Sequence, residues 1–198
     1  MKSTAFLQRV LEHLPRSVDD FVFVHWPHED HPFDEALGVI PVPAAVDPDR
    51  VIACAMDLDH YVGRIPHVAE SRVVPDARFS PPAFLRAYQR ASIPLLKDIH
   101  HETARVDGGV VDGFRCAYWN LLEEETSRLS TRKAARSRHH SGVWLARPGL
   151  LVYGMSSVPR REDLGLVQWK ALVTGAAKTA PRMIRGNLDA MVRWSQER

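Results

Sequence analysis

The chain has 198 residues, 45% of them apolar, and a formal net charge of +2 from nearly balanced acids and bases. That length suits one sizeable core rather than two full domains, and the charge balance excludes a protein that holds nucleic acid or an anionic membrane by net charge. Cys54 and Cys116 show no CxxC spacing, which excludes a zinc ribbon or a disulfide framework and makes the reduced cytoplasm the expected compartment.

In chain order, Phe6, Leu7, Val10, Leu11 and Leu14 fall at helical spacing. Gln8, Arg9, Glu12 and His13 interrupt them, which predicts an amphipathic helix and not a secretory leader. No uninterrupted apolar run approaches the roughly 20 residues that span a bilayer. The following SVDDFVFVHWPHEDHPFDEA is polar and broken by Pro27 and Pro32, and reads as an irregular connection with a short strand near Phe21–Val24. Residues 1–36 are therefore an N-terminal helix with an irregular extension, and residues 37–198 the organised domain.

LGVIPVPA, from Leu37, is β-rich and ends in prolines, which suits an edge strand because proline cannot donate to a ladder. A short helix follows: Asp47 can cap it, Pro48 takes the first helical position and Asp49 complements the positive end of the dipole. Val51, Ile52, Ala55 and Met56 form its buried stripe. A second short helix or turn spans about Asp59 to Ile65 and closes at Gly63 and Pro66.

From His67 to Pro159 six β-rich runs alternate with turn signals: HVAESRVV, AFLRAYQRASI, LKDIHHETARV, GFRCAYWNLL, SRHHSGVWLA and LLVYGMSSV. Proline pairs, DGG, the charged EEETSRLSTRK and RPG separate them. With the first strand this makes about seven, in an antiparallel meander, because parallel strands would need crossover helices that are absent from the pattern. Val167 to Arg198 returns to helical spacing through Leu172, Ala176, Ala180, Met183, Ile184, Leu188, Met191 and Trp194, and Pro181 should kink this helix.

The order of strand, two short helices, six antiparallel strands and long terminal helix resembles the α+β helix-grip fold of the START-like SRPBCC superfamily. The residues that carry the resemblance are DPDRVIACAMDLDHYVGRIPHVAESRVV, SGVWLARPGLLVYGMSSVP and KTAPRMIRGNLDAMVRW, and it covers about Leu37 to Arg198. Within that superfamily it resembles the polyketide cyclase and lipid-transport branches. The resemblance implies a curved sheet wrapped around the last helix, with a cavity between them for a lipid, sterol, quinone or polyketide-like molecule. It also implies a carrier without a cofactor, or else a cyclase or aromatase using cavity groups such as His100, Tyr118 or His140 as acid and base. A collapsed cavity would leave only an interaction module. Two departures stand out, the N-terminal extension and the charged insertion at Glu123 to Lys133. The extension either packs over the cavity mouth or makes a homodimer contact.

Candidate ligand contacts follow from alternation along the strands. In AFLRAYQRASI, Arg86, Tyr88 and Arg90 point one way and Leu85, Ala87, Gln89, Ala91 and Ile93 the other, leaving Gln89 polar on an apolar face. In LKDIHHETARV either the even positions face inward, bringing Asp98, His100 and Glu102 together, or the odd ones do, with Ile99 and Thr103 inside. Arg115 suggests that Phe114, Cys116, Tyr118 and Asn120 look inward, with Tyr118 and Asn120 able to hydrogen-bond a ligand. His140 shares its face with Trp144 but also with Arg136 and Arg138, which argue that this face is wet. Tyr153 and Met155 complete the sheet's contribution. On the terminal helix, Gly175, Ala176, Ala177 and Ala180 leave one half thin, and Met183, Asn187 and Met191 are the expected ligand contacts.

GxSxG, GxGxxG, P-loop and HExxH patterns are absent, which removes the usual markers of hydrolase, dinucleotide, nucleotide and zincin chemistry. The basic cluster Arg132, Lys133, Arg136 and Arg138 reads as a solvated face. His25, His28 and His31 in VHWPHEDHPF are spaced three apart, but the flanking prolines prevent a continuous helix. Glu29 or Asp30 would complete a tetrahedral site only if the loop folded back. No metal is assigned, and the stretch reads as a connector or lid with Trp26 and Phe33 as anchors.

Overall fold

The computed structural model describes residues 3–93 and 96–197. Its elements are α1 (Ser3–Glu12), β1 (Val22–Trp26), β2 (Glu35–Pro41), α2 (Pro48–Met56), a 3-10 turn (Leu58–His60), β3 (Val68–Val74), β4 (Phe84–Ala91), β5 (Asp98–Val111), β6 (Phe114–Leu121), α3 (Glu123–Ser127), β7 (Ala134–Arg147), β8 (Leu150–Pro159) and α4 (Arg161–Gln196). The strands form one eight-stranded sheet in the order β1-β2-β8-β7-β6-β5-β4-β3, with antiparallel neighbours throughout. A short parallel pairing of β5 with β7 joins Asp98–His100 to Ala134–Arg136.

The eighth strand is β1, which pairs with β2 from Val22↔Val39 to Trp26↔Glu35 and takes the sheet edge expected of β2. Asp47 caps α2 by accepting from the Asp49 N–H at 2.9 Å, with Pro48 at the first helical position, as the sequence predicts. The DGG motif is no turn. Asp107 to Gly109 forms a bulge within β5, and the hairpin turns at Asp112 and Gly113, both in left-handed conformation. The charged insertion after β6 folds into α3. Helical dihedrals persist through Pro181, and the break in α4 falls at Gly165, whose φ of 76° is open to glycine at no steric cost. Arg198, at the end of the expected helix, lies outside the described residues.

Both faces of the sheet are covered. The inner face packs on α2 and α4 through Ile52, Leu58, Trp144, Leu151, Ile184, Leu188 and Trp194. Gly38 on β2 is required for that approach, because a Cβ there would lie 2.3 Å from Ile184 Cγ2. The outer face packs on α1, whose Phe6, Leu7 and Val10 meet Leu37, Val39, Cys116, Val143, Leu145 and Val152. The N-terminal helix therefore closes the back of the sheet rather than the cavity mouth.

An ion pair fixes α1 there. Arg9 Nε and Nη2 donate to the two oxygens of Glu35 at 2.6 and 2.7 Å, and Trp26 Nε1 donates to Oε2 at 2.8 Å. Burial raises the Glu35 pKa, but these hydrogen bonds outweigh it and hold the carboxyl below the usual range. Glu35 is 1% exposed and Arg9 37%. Arg9→Ala is therefore expected to cost about 2 kcal/mol in urea unfolding, less than the roughly 3–5 kcal/mol of a fully buried broken pair because water screens Arg9. An unchanged midpoint would mean that α1 is not anchored through Glu35.

Candidate functional site: a cavity between the sheet and the terminal helix

Between the inner face and α4 lies a cavity of about 560 Å³. It exists because α4 is thin there: Gly175, Ala176 and Ala180 line it and leave the space that larger side chains would fill. Its sheet wall includes Gln89, Ile99, Trp119, Trp144, Tyr153 and Met155, and Phe23, Pro32 and Phe33 form part of its rim. The lining is chiefly aliphatic and aromatic, the composition that favours an apolar guest. Gly142 on β7 lets the Trp119 indole lie across it, since a Cβ there would stand 2.0 Å from Trp119 Cζ2. Gly142→Ala is expected to cost about 1–3 kcal/mol by overpacking and to move the indole, read by urea unfolding and tryptophan fluorescence.

One part of the wall is polar. Arg105 on β5 is 3% exposed. Its Nη2 donates to Gln89 Oε1 at 2.6 Å, and Nη1 donates to Tyr61 Oη at 3.1 Å and the Ala55 carbonyl at 3.2 Å. The guanidinium also lies over Trp119 at 4.4 Å and Tyr61 at 5.2 Å. All of these acceptors are neutral, and Nε has no hydrogen-bond partner among the described residues. Gln89 is thus held by Arg105 and, through Nε2, by Ser71 at 3.3 Å.

Beside Arg105, His101 and His140 stack with ring centroids 3.8 Å apart. His101 Nδ1 meets Ser137 Oγ at 3.2 Å, and His140 Nδ1 meets Ser157 Oγ at 3.1 Å. Burial, then the Arg105 charge, pushes the His101 pKa down to about 3. Burial, then His101 and Arg105, pushes His140 well below its ordinary value. The unfolded chain binds protons that these folded imidazoles refuse, so stability falls as pH drops below the ordinary histidine value. His101 is expected to cost roughly 2 kcal/mol between pH 7 and pH 5, before most carboxylates titrate, and His140 adds a cost of the same sign. His140→Gln should remove its share, and a flat pH profile of urea midpoints would contradict the buried pair.

Of the residues expected to contact a ligand, Gln89, His140, Trp144, Tyr153, Met155, Met183 and Asn187 line the cavity. The other four lie elsewhere. His100 is on the outer face, with its Nδ1 3.3 Å from Tyr88 Oη. The inward set on β5 is the odd one, Ile99, His101 and Arg105. Asp98 and Glu102 do not face the cavity and are ion-paired to Arg90 and Arg86. Tyr118 packs in the outer core and Asn120 accepts from Ser141 Oγ at 3.1 Å, because α1 makes the outer face apolar too and Arg115 sits at the start of β6, paired to Asp107 and Asp49. Met191 is fully buried in the inner core beside α2 and does not reach the cavity.

A bulge between Ser137 and His139 reverses the alternation in β7. His140 and Ser137 therefore both meet inward groups, while Arg136 turns to Asp163 and bonds it at 2.8 Å. Arg136, one of the two arginines expected to make the His140 face wet, is thus bound to Asp163, and Arg138 falls within the bulge. Arg105, His101, Trp119 and Tyr61 are the lining residues that sequence reasoning missed. For His101 and Arg105 the signal was the register of β5 against β4, in which Gln89 stands directly opposite His101.

No protein-family model matches the sequence, and no curated protein matches it significantly. Solved structures match it closely in shape. A STAR-related lipid transfer protein fragment from Xanthomonas axonopodis superposes with a TM-score of 0.67 at 17% identity, covering 92% of this chain and 97% of that one. Human StAR-related lipid transfer protein 5 superposes at 0.69 and 10% identity, covering 99% and 95%. The chain has the START-like helix-grip fold. The Zhui aromatase/cyclase of a Streptomyces species shares this START-like fold more distantly, at a TM-score of 0.51 and 12% identity over 90% and 95% of the two chains. No helix among the described residues is long and apolar enough to cross a membrane.

Proposed function

We propose that this chain binds and carries one hydrophobic small molecule, lipid-, sterol-, quinone- or polyketide-like, with its polar end against Arg105. The observation that supports this most is the combination of an apolar cavity of about 560 Å³ with a buried cation, Arg105, in its wall. A buried charge is costly unless it is paired. Neutral acceptors and aromatic faces partly compensate Arg105, and an oxyanion or carbonyl on a guest would complete its coordination. The lipid transfer and aromatase/cyclase activities named for the similar structures belong to classes that use such guests.

An acid–base role for the cavity groups is the second reading, and the His101–His140 pair is what favours it. Their depressed pKa values make them weak proton acceptors near neutral pH, where an effective general base titrates close to the working pH. Carriage is therefore the better reading. The test is displacement of a fluorescent long-chain fatty acid by unlabelled fatty acid, fatty alcohol, sterol and quinone. Saturable one-to-one binding is expected, with guests recovered unchanged. Failure of every guest to displace the probe, or conversion of a bound guest, would overturn carriage.

A further inference from the structure

On the outer side of the sheet, away from Arg105, three imidazoles converge. His28 and His31 come from the loop between β1 and β2, and His139 from β7. One ring nitrogen of each lies within 4.8 Å of those of the other two. The His28 and His31 rings stack at 3.7 Å, and His139 stands 5.3 and 5.4 Å from them. The loop does fold back, but the third histidine is His139, distant in sequence, and not His25, whose Nδ1 is 2.6 Å from Asp34. Nε2 of both His31 and His139 is shielded from solvent and has no hydrogen-bond partner among the described residues. Next to them is the fixed Glu35 carboxylate, with Oε1 3.7 Å from His28 Nε2.

We propose that His28, His31 and His139 form a binding site for a divalent transition metal of the zinc class. Three imidazole nitrogens are a common donor set for such ions, with a further position for water or a carboxylate oxygen. Glu35 supplies negative charge beside the site while Arg9 and Trp26 keep it in place. A metal would tie the β1–β2 loop to β7, and that loop carries Pro32 and Phe33, which line the cavity and, through Phe33, touch Trp169 of α4.

The hydrogen bonding of the loop gives a specific signature. The Asp30 N–H donates to His28 Nδ1 at 3.0 Å and the Phe33 N–H to His31 Nδ1 at 3.4 Å. A neutral imidazole that accepts at Nδ1 carries its proton on Nε2. Ligation through Nε2 moves that proton to Nδ1 and breaks both contacts.

The test uses the full chain without an affinity tag, titrated with Co²⁺ and Zn²⁺ alone. Expected are a Co²⁺ d–d absorption band saturating at one equivalent, displacement of Co²⁺ by Zn²⁺, and shifted amide resonances of Asp30 and Phe33. His31→Ala and His139→Ala should each weaken affinity at least about tenfold, while His60→Ala, at an exposed histidine outside the cluster, should not. If His139→Ala does not fold, the loop variants His28→Ala and His31→Ala decide. Absence of a saturable band, or equal affinity in wild type and His31→Ala, would overturn the site.

Discussion

Ala176→Trp is expected to abolish binding of a hydrophobic probe while leaving the fold intact. Ala176 lines the cavity from α4 and supports no packed core, so an indole there occupies the space a guest would take. Affinity should fall more than about tenfold, a change of at least about 1.4 kcal/mol in binding free energy. The urea midpoint should stay level or rise, because filling a void adds contacts. Met183→Trp and Asn187→Trp, at neighbouring lining positions on the same helix, should act in the same direction. Undiminished affinity in all three, with circular dichroism unchanged, would place the guest elsewhere.

Arg105→Met separates stability from binding. Replacing a buried charge by an apolar side chain of similar length removes a desolvation cost, and such replacements are often neutral or stabilising. Against this, Gln89 Oε1 loses its donor, at a cost of about 1–3 kcal/mol, while Tyr61 keeps its 2.9 Å bond to the Ala55 carbonyl. The net change in unfolding free energy should therefore be small. Affinity for a long-chain fatty acid should fall at least about tenfold and that for the matching alcohol much less, since only the acid presents a full charge to the guanidinium. Equal losses for acid and alcohol would show that Arg105 shapes the wall without recognising a charge. The pH profile of binding gives an independent check, because burial holds His101 near 3, below the window in which the acid ionises.

The order of elements was legible because local signals agreed with the global fold. Asp47 and Pro48 announced α2, proline pairs and glycine turns punctuated the strands, and the small residues of α4 marked where the helix stands away from the sheet. What stayed hidden was long-range. The covering of the outer face by α1 makes both faces of β6 apolar, so the position of Arg115 could not tell Tyr118 from Trp119. The bulge in β7 reverses which side chains accompany His140, and bulges leave little trace in residue order. Register had the same effect on β5. Gln89 was recognisable as an isolated polar group, but its partner Arg105 becomes inward-facing only once β4 and β5 are aligned. The histidine loop shows the limit most sharply, since His28 and His31 meet a ligand atom more than one hundred positions away.

The measurement that tests the central claim most directly is native mass spectrometry of the folded chain after incubation with a total lipid extract, followed by organic extraction of what is bound. A single hydrophobic adduct per chain, absent from Ala176→Trp, is the expected result. An apo mass at every lipid concentration, with the wild type and Ala176→Trp indistinguishable, would contradict the account of the cavity as a carrier site.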